Sequence, residues 1–110
     1  MIESTWVIKS DGYPHINADP NATLNYTLDL QAWLVEAGRA SIASASMTLD
    51  TGLTLGGSPT ISGGLITIVL SFSGATVGQE LKAVCRFTTD SVAGPALTDD
   101  RTMIFDIVER

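Results

Sequence analysis

The stretch "DPNATLNYTLDLQAWLVEAG", residues 19–38, changes its hydrophobic period partway along and decides how this chain folds. Its first half alternates apolar and polar residues, which is the pattern of a β-strand with one buried face. The alternating apolar residues are Leu24, Tyr26, Leu28 and Leu30. Trp33 and Leu34 then follow at spacings that fit a helix and not a strand.

The second half of this stretch predicts one short helical turn near residues 31–36. Asp29 is a residue type that caps helix starts, and Gly38 is a favoured residue just after a helix end. A single turn is too short to be stable alone, so we expect packing of Trp33 and Leu34 to hold it. The turn would then close one end of a two-layer core.

Further strands follow this turn. Residues 40–49, "ASIASASMTL", are a strand whose apolar phase slips between Ile42 and Met47, and a β-bulge would explain the slip. The clearest strand runs from residue 65 to 72, and its second face is partly apolar because of Leu65 and Val69. We therefore expect it to be central or covered by a partner.

The remaining segments complete an all-β chain. Residues 79–89 alternate as a strand, residues 90–100 are predicted to be a loop, and residues 102–108 close the chain as a last strand. About seven short strands with turn signals every ~8–12 residues predict an immunoglobulin-like antiparallel β-sandwich. The predicted core residues are Tyr26, Leu28, Trp33, Ile68, Leu70, Cys85, Phe87 and Phe105. Residues 1–18 are predicted to be an N-terminal arm or edge strand, and residues 19–110 the sandwich domain.

Composition limits the function classes. The chain has 110 residues and a net charge of −6, and its six basic residues are scattered, so we expect no nucleic-acid binding. Only one cysteine is present, which allows no disulfide within the chain. The first residues lack a secretion signal and no apolar run reaches membrane-spanning length. These features predict a soluble protein, made in the cytoplasm, that binds no membrane.

No group of residues predicts catalysis, a metal or a cofactor. His15 lies beside Pro14 in a predicted loop, where we expect a surface histidine. Cys85 lies on the apolar side of its strand, so it is predicted to be buried and inert. Asp99 and Asp100 lack calcium-ligand spacing and are predicted to lie in a solvated loop. Two glycine pairs, at residues 56–57 and 63–64, are predicted to be hairpin turns.

Exposed aromatic residues leave one alternative function open. Trp6 and Tyr13 fall in the predicted N-terminal arm, where aromatic rings are free to stack on a sugar. This would make the chain an adhesin-like or carbohydrate-binding module. The other aromatic residues of the opening stretch share the phase of leucines and fit the core.

The order of several short motifs resembles a known family. They are Asp19-Pro20, the strand 24–30, Ala32-Trp33-Leu34, Ile42-Ala43-Ser44, Gly52-Leu53-Thr54, Thr76-Val77-Gly78 and Asp100-Arg101-Thr102. In this order they resemble the small immunoglobulin-like virion-associated proteins of tailed phages and prophages, the neck or fibre–tail adaptor group. The resemblance covers residues 19 to 109, and the chain departs from it in lacking an aromatic residue near Met47 and a tyrosine near Leu81.

The resemblance implies a non-enzymatic virion protein that contacts other virion proteins in the head–neck–tail region. It also implies several symmetric copies, and therefore a homo-oligomer. It further implies localisation in a virion, with the protein made in the cytoplasm of the host bacterium. The residues predicted to contact partners are Trp6, Tyr13, Asn25, Thr27, Leu65 and Val69.

Overall fold

A computed structural model of the chain describes residues 7–8 and 10–108. These residues form nine strands and one helix. In chain order the elements are β1 (Val7–Ile8), β2 (Pro14–Ala18), β3 (Thr23–Asp29), α1 (Gln31–Ala37), β4 (Ile42–Leu49), β5 (Thr54–Leu55), β6 (Thr60–Ser62), β7 (Leu65–Ser71), β8 (Glu80–Thr89) and β9 (Thr98–Ile107).

The strands form two sheets. Sheet A has the order β1-β2-β9-β8-β4, and all its pairs are antiparallel except β2 with β9, which is parallel. In sheet B, β3 pairs with one edge of β7, while β5 and β6 pair one after the other with its second edge. Immunoglobulin-type sandwiches divide their strands between two sheets in this way. The predicted all-β sandwich is therefore confirmed.

The core lies between the sheets and takes alternate residues from each strand. Its centre is aromatic, since the ring of Phe105 lies 5.2 Å from those of both Tyr26 and Phe72. Six of the residues predicted for the core are buried, namely Tyr26, Ile68, Leu70, Cys85, Phe87 and Phe105. Leu28 and Trp33 are partly buried and pack against this cluster.

Helix α1 closes one end of the sandwich, and the predicted helical turn is confirmed. The prediction that Asp29 caps the helix is wrong, because the N-cap position is Leu30 and no side chain caps the helix start. The Asp29 carboxylate instead accepts a hydrogen bond from the Gln31 amide at 3.0 Å, one residue before the cap. The helix ends at Ala37, and Gly38 caps it with φ of +70°, as predicted. Leu34 is buried, and the ring of Trp33 meets that of Phe87 edge-on at 5.1 Å. Packing thus holds a helix that is too short to be stable by itself.

Two predictions about strand β4 and strand β9 have different outcomes. The predicted bulge in β4 is confirmed, because the pairing with β8 shifts register between Ile42 and Ser44. The predicted loop at residues 90–100 is wrong in extent. Strand β9 already begins at Thr98, which pairs with Thr88 across a 3.0 Å contact between their hydroxyl groups.

The glycine pair at residues 56–57 is not a hairpin turn, contrary to the prediction. It connects β5 to β6, which lie in line along the same edge of β7. The amide of Gly56 donates to the carbonyl of Val69 at 2.8 Å, so the connection itself stays attached to β7. The second pair, Gly63 and Gly64, does form the turn between β6 and β7.

Candidate interaction surfaces

Four of the residues predicted to contact partners lie side by side on the outer face of sheet B. The pairing of β3 with β7 places Asn25 opposite Val69 and Thr27 opposite Thr67. Leu65 lies on the same face of β7, two residues before Thr67. Together these five residues form what we call the outer sheet B face.

The outer sheet B face combines polar and apolar groups. Asn25 and Thr27 are exposed, while Leu65 and Val69 are half-buried. The hydroxyl groups of Thr27 and Thr67 lie 3.1 Å apart, which joins the two strands across the face. The exposed Asp29 lies opposite Leu65 at one end of this face and is its charged residue. A mixed surface with few charged residues is of the kind found at protein interfaces.

The other predicted contact residues lie near the chain start. Tyr13 ends the turn between β1 and β2 and is 40% exposed, with its amide donating to the Asp11 carboxylate at 2.9 Å. Trp6 lies outside the described residues. Of this predicted pair, the structure therefore places Tyr13, which lies between two strands of sheet A and not on sheet B.

A further surface lies at the end that α1 closes, and sequence reasoning missed it. Val35 is 80% exposed on α1 and Val92 is 88% exposed in the loop between β8 and β9. Arg39 connects the helix with this loop, because its Nε and Nη2 donate to the carbonyl of Pro95 at 3.1 and 2.9 Å. Single valines among polar residues carry no recognisable sequence signal.

The loop that carries Val92 is held by its first residue. The Asp90 carboxylate accepts hydrogen bonds from the Val92 amide at 3.0 Å and from the amide and hydroxyl of Ser41 at 2.7 and 3.1 Å. The bonds from the Val92 and Ser41 amides hold the pKa of Asp90 below its ordinary value. The loop is thus fixed to the start of β4.

His15 is buried, and the prediction of a surface histidine is wrong. It lies in β2 rather than in a loop and is 2% exposed. Its Nε2 contacts a carboxylate oxygen of Asp11 at 2.8 Å, and its Nδ1 lies 3.1 Å from both carboxylate oxygens of Asp106. Because Asp106 is 91 positions away, no local pattern reveals this arrangement.

The two carboxylates favour the charged form of His15. Burial alone would lower the pKa of His15, but the hydrogen bonds to Asp11 and Asp106 outweigh it and raise the pKa above the ordinary 6.5. The Tyr13 amide and the His15 side chain in turn lower the pKa of Asp11. A protonated His15 therefore joins β2 to β9 and to the turn before β2.

The same cluster contains the described residues best placed to hold a metal. His15, Glu80 and Asp106 each offer a ligand atom, and these atoms lie within 4.8 Å of one another. Both ring nitrogens of His15 already contact carboxylates, Nδ1 that of Asp106 and Nε2 that of Asp11. The protonated imidazole ring therefore supplies the positive charge that balances these carboxylates. A metal ion would first have to displace the proton on Nδ1.

The other residues considered for metal binding or catalysis, Asp99, Asp100 and Cys85, have structural roles. Asp99 and Asp100 lie in β9 and not in a solvated loop, and the guanidinium of Arg86 donates to both oxygens of Asp100 at 2.9 and 3.2 Å. Cys85 has no exposed surface. Burial, with a smaller effect of the Asp100 charge, raises the pKa of the Cys85 thiol to about 11, so the reactive thiolate is rare at neutral pH.

A comparison with protein families finds one match that covers most of the sandwich. The model of the family described as podophage GP4 fiber-tail adaptor protein gp77 matches residues 18–105. No curated protein and no solved structure gives a significant match. In the described part of the chain, no helix has the length and hydropathy needed to cross a membrane.

Proposed function

The chain belongs to the podophage fiber-tail adaptor family, and we propose that it is a non-enzymatic virion protein which joins other virion proteins in the head–neck–tail region. The observation that carries this proposal is the family match over residues 18–105, which runs from the end of β2 into β9. It agrees with the resemblance that the motif order indicates.

The partner contacts are proposed to lie on the outer sheet B face and at Tyr13. The outer sheet B face supports this role because its five residues are uncharged, with Asp29 at one end, and because the paired strands offer several side chains at once. Tyr13 adds an exposed aromatic ring, a residue type common at the centres of interfaces. No nucleic acid or membrane is part of the proposal.

The location is tested on purified particles of the phage or prophage that carries this gene. Mass spectrometry of the particles should detect the chain, and antibody labelling in electron micrographs should place it at the neck or tail. Particles that wholly lack the chain, while their other structural proteins are present, would refute the proposal.

The contact surface is tested by charge substitution. In Asn25→Arg with Val69→Glu, two charges replace uncharged residues of the outer sheet B face, and we expect the variant to be lost from particles. A variant with Ser91→Arg, in the exposed loop after β8, serves as the control and should be incorporated normally. Normal incorporation of both variants would show that this face does not bind the partners.

A further inference from the structure

Strand β4 is an edge of sheet A that is protected by a bulge at its start but by no charged residue or proline along the strand. Among the described residues it pairs with β8 on one side only, apart from a hydrogen bond from the Ile42 amide to the Gly63 carbonyl at 2.9 Å. Its sequence, "IASASMTL", contains no charge and no proline. Natural proteins usually place such residues on exposed edges to prevent pairing with other chains.

The hydrogen-bond pattern tells which backbone groups of β4 point outward. The amide of Asp50, just after β4, donates to the Lys82 carbonyl of β8 at 3.0 Å. Pairs that exchange hydrogen bonds alternate along an antiparallel ladder. The amides and carbonyls of Ala45, Met47 and Leu49 therefore point away from β8, in a stretch of regular register beyond the bulge.

The side chains at this edge are also incompletely covered. Met47 and Leu49 of β4 point to the core yet remain only partly buried, as do Leu55 of β5 and Ile61 of β6. The β4 edge and the strands along the second edge of β7 thus leave apolar surface at one side of the sandwich. An added strand would cover this surface with alternate side chains while its backbone satisfies the outward groups.

The charge distribution shows which occupant suits this edge. The chain has a net charge of −6, yet between positions 40 and 79 its only charged residue is Asp50. On the neighbouring strand β8, Arg86 lies opposite Ser46 and is paired with Asp100. Two identical copies repel each other wherever their acidic surfaces meet, and they approach at least cost along the uncharged strand β4. A basic partner, by contrast, would find no opposite charge along β4.

We propose that two copies of this chain associate by antiparallel pairing of their β4 strands about a two-fold axis. Pairing centred on Met47 places Ala45 opposite Leu49 of the second copy and Ser46 opposite its Thr48. It forms about six backbone hydrogen bonds, two for each pair of outward residues, and brings no two charges together. The inference rests on the β4 edge and does not depend on the virion role.

The test uses charge pairs placed across this two-fold axis. Ser46 and Thr48 are exposed, so both tolerate a polar side chain. Ser46→Glu with Thr48→Glu sets like charges opposite each other twice and should raise the dimer dissociation constant at least about tenfold. Ser46→Glu with Thr48→Lys sets opposite charges together and should restore the wild-type value. Native mass spectrometry and sedimentation equilibrium measure the dimer, and circular dichroism confirms folding.

The matched control changes the edge of sheet B. Asn25→Glu with Thr27→Glu adds the same two charges to exposed residues of β3 and should leave the dimer unchanged. A wild-type chain that stays monomeric at about 100 µM would overturn the proposal. A dimer that persists in the variant with two glutamates on β4 would also overturn it. So would a dimer that is lost only in the β3 variant, since that result would place the interface on sheet B.

Discussion

His15 is the residue whose charge connects the first strands to the rest of the sandwich. Its ring is 2% exposed, and both nitrogens contact carboxylates, one on the preceding turn and one on β9. A buried cation between two acidic groups stabilises the fold only while it keeps its proton. Stability should therefore depend on pH around the folded pKa of His15.

The pH dependence follows from the direction of the two pKa shifts. The pKa of His15 is raised above 6.5, so its contribution is complete below that value and is lost as pH rises through the folded pKa. The pKa of Asp11 is lowered from 3.8, so its contribution is present above that value and is lost as pH falls through the folded pKa. The contacts of His15 thus stabilise most between these limits.

We predict that His15→Gln lowers the free energy of unfolding by about 1.5–3 kcal/mol near pH 5.5, and that this loss becomes smaller as the pH rises through the folded pKa of His15. Glutamine keeps hydrogen-bonding groups but carries no charge, which isolates the effect of the imidazolium. Urea unfolding at several pH values measures the difference from wild type. A difference that stays constant over this range would show that His15 does not change its charge there.

Cys85 provides a second prediction at the residue scale. Because burial raises the pKa of its thiol to about 11, the native chain should react with a thiol reagent only as fast as it unfolds. Denaturant should make the reaction fast. In a Ser91→Cys variant, the added thiol lies in an exposed loop and should react at once while Cys85 stays slow. Rapid reaction of both thiols in the folded variant would contradict the burial of Cys85.

At the scale of elements, helix α1 depends on a close approach by Gly64. A Cβ at this position would lie 2.9 Å from Cδ1 of Leu34 and 3.2 Å from Cα of Gln31, which is too close for either to remain in place. The turn between β6 and β7 therefore needs glycine so that the helix can pack against it. This contact explains how a seven-residue helix keeps a fixed position.

We predict that Gly64→Ala destabilises the chain by about 1–3 kcal/mol, because the helix must shift outward and loosen its contact with Phe87. The neighbouring Gly63 has φ of +59° and open space around it. Gly63→Asn is the matched control and should cost little, since asparagine accepts this backbone conformation. Thermal unfolding compares the two variants. Equal stability of both would show that the helix has room for the added methyl group.

Local signals account for the elements that the sequence predicts correctly. The change of period at Trp33, with Asp29 before it and Gly38 after it, marks α1 within one stretch of chain. The start of β9 carries no such signal, because Asp99 and Asp100 are residue types common in loops. They belong to a strand because of long-range pairing with β8, where Arg86 binds Asp100.

At the scale of the molecule, the alternation of apolar residues and the spacing of turns predict the sandwich. They do not predict which residues lie together on its surfaces. The residues of the outer sheet B face come from two strands some 40 positions apart. The alternation within each strand predicts that these residues face outward, but it does not predict which residues of the two strands are neighbours. His15 and Asp106 meet only because β2 runs parallel to β9. The open side of β4 likewise depends on which strands pair, a property that one sequence does not reveal.

The distribution of charge over the molecule yields the last prediction. If two copies pair through β4, no ion pair crosses the contact, while the net charge of −6 on each copy opposes association at a distance. Salt screens this repulsion, so the dimer dissociation constant should fall about threefold or more between about 20 and 300 mM salt. Sedimentation equilibrium at constant pH measures this dissociation constant. The variant with Ser46→Glu and Thr48→Lys is the control, because salt also screens its introduced ion pairs, so its dissociation constant should fall less than that of the wild type. A dissociation constant that rises with salt in the wild type would show that charged contacts, rather than an uncharged strand edge, join the copies.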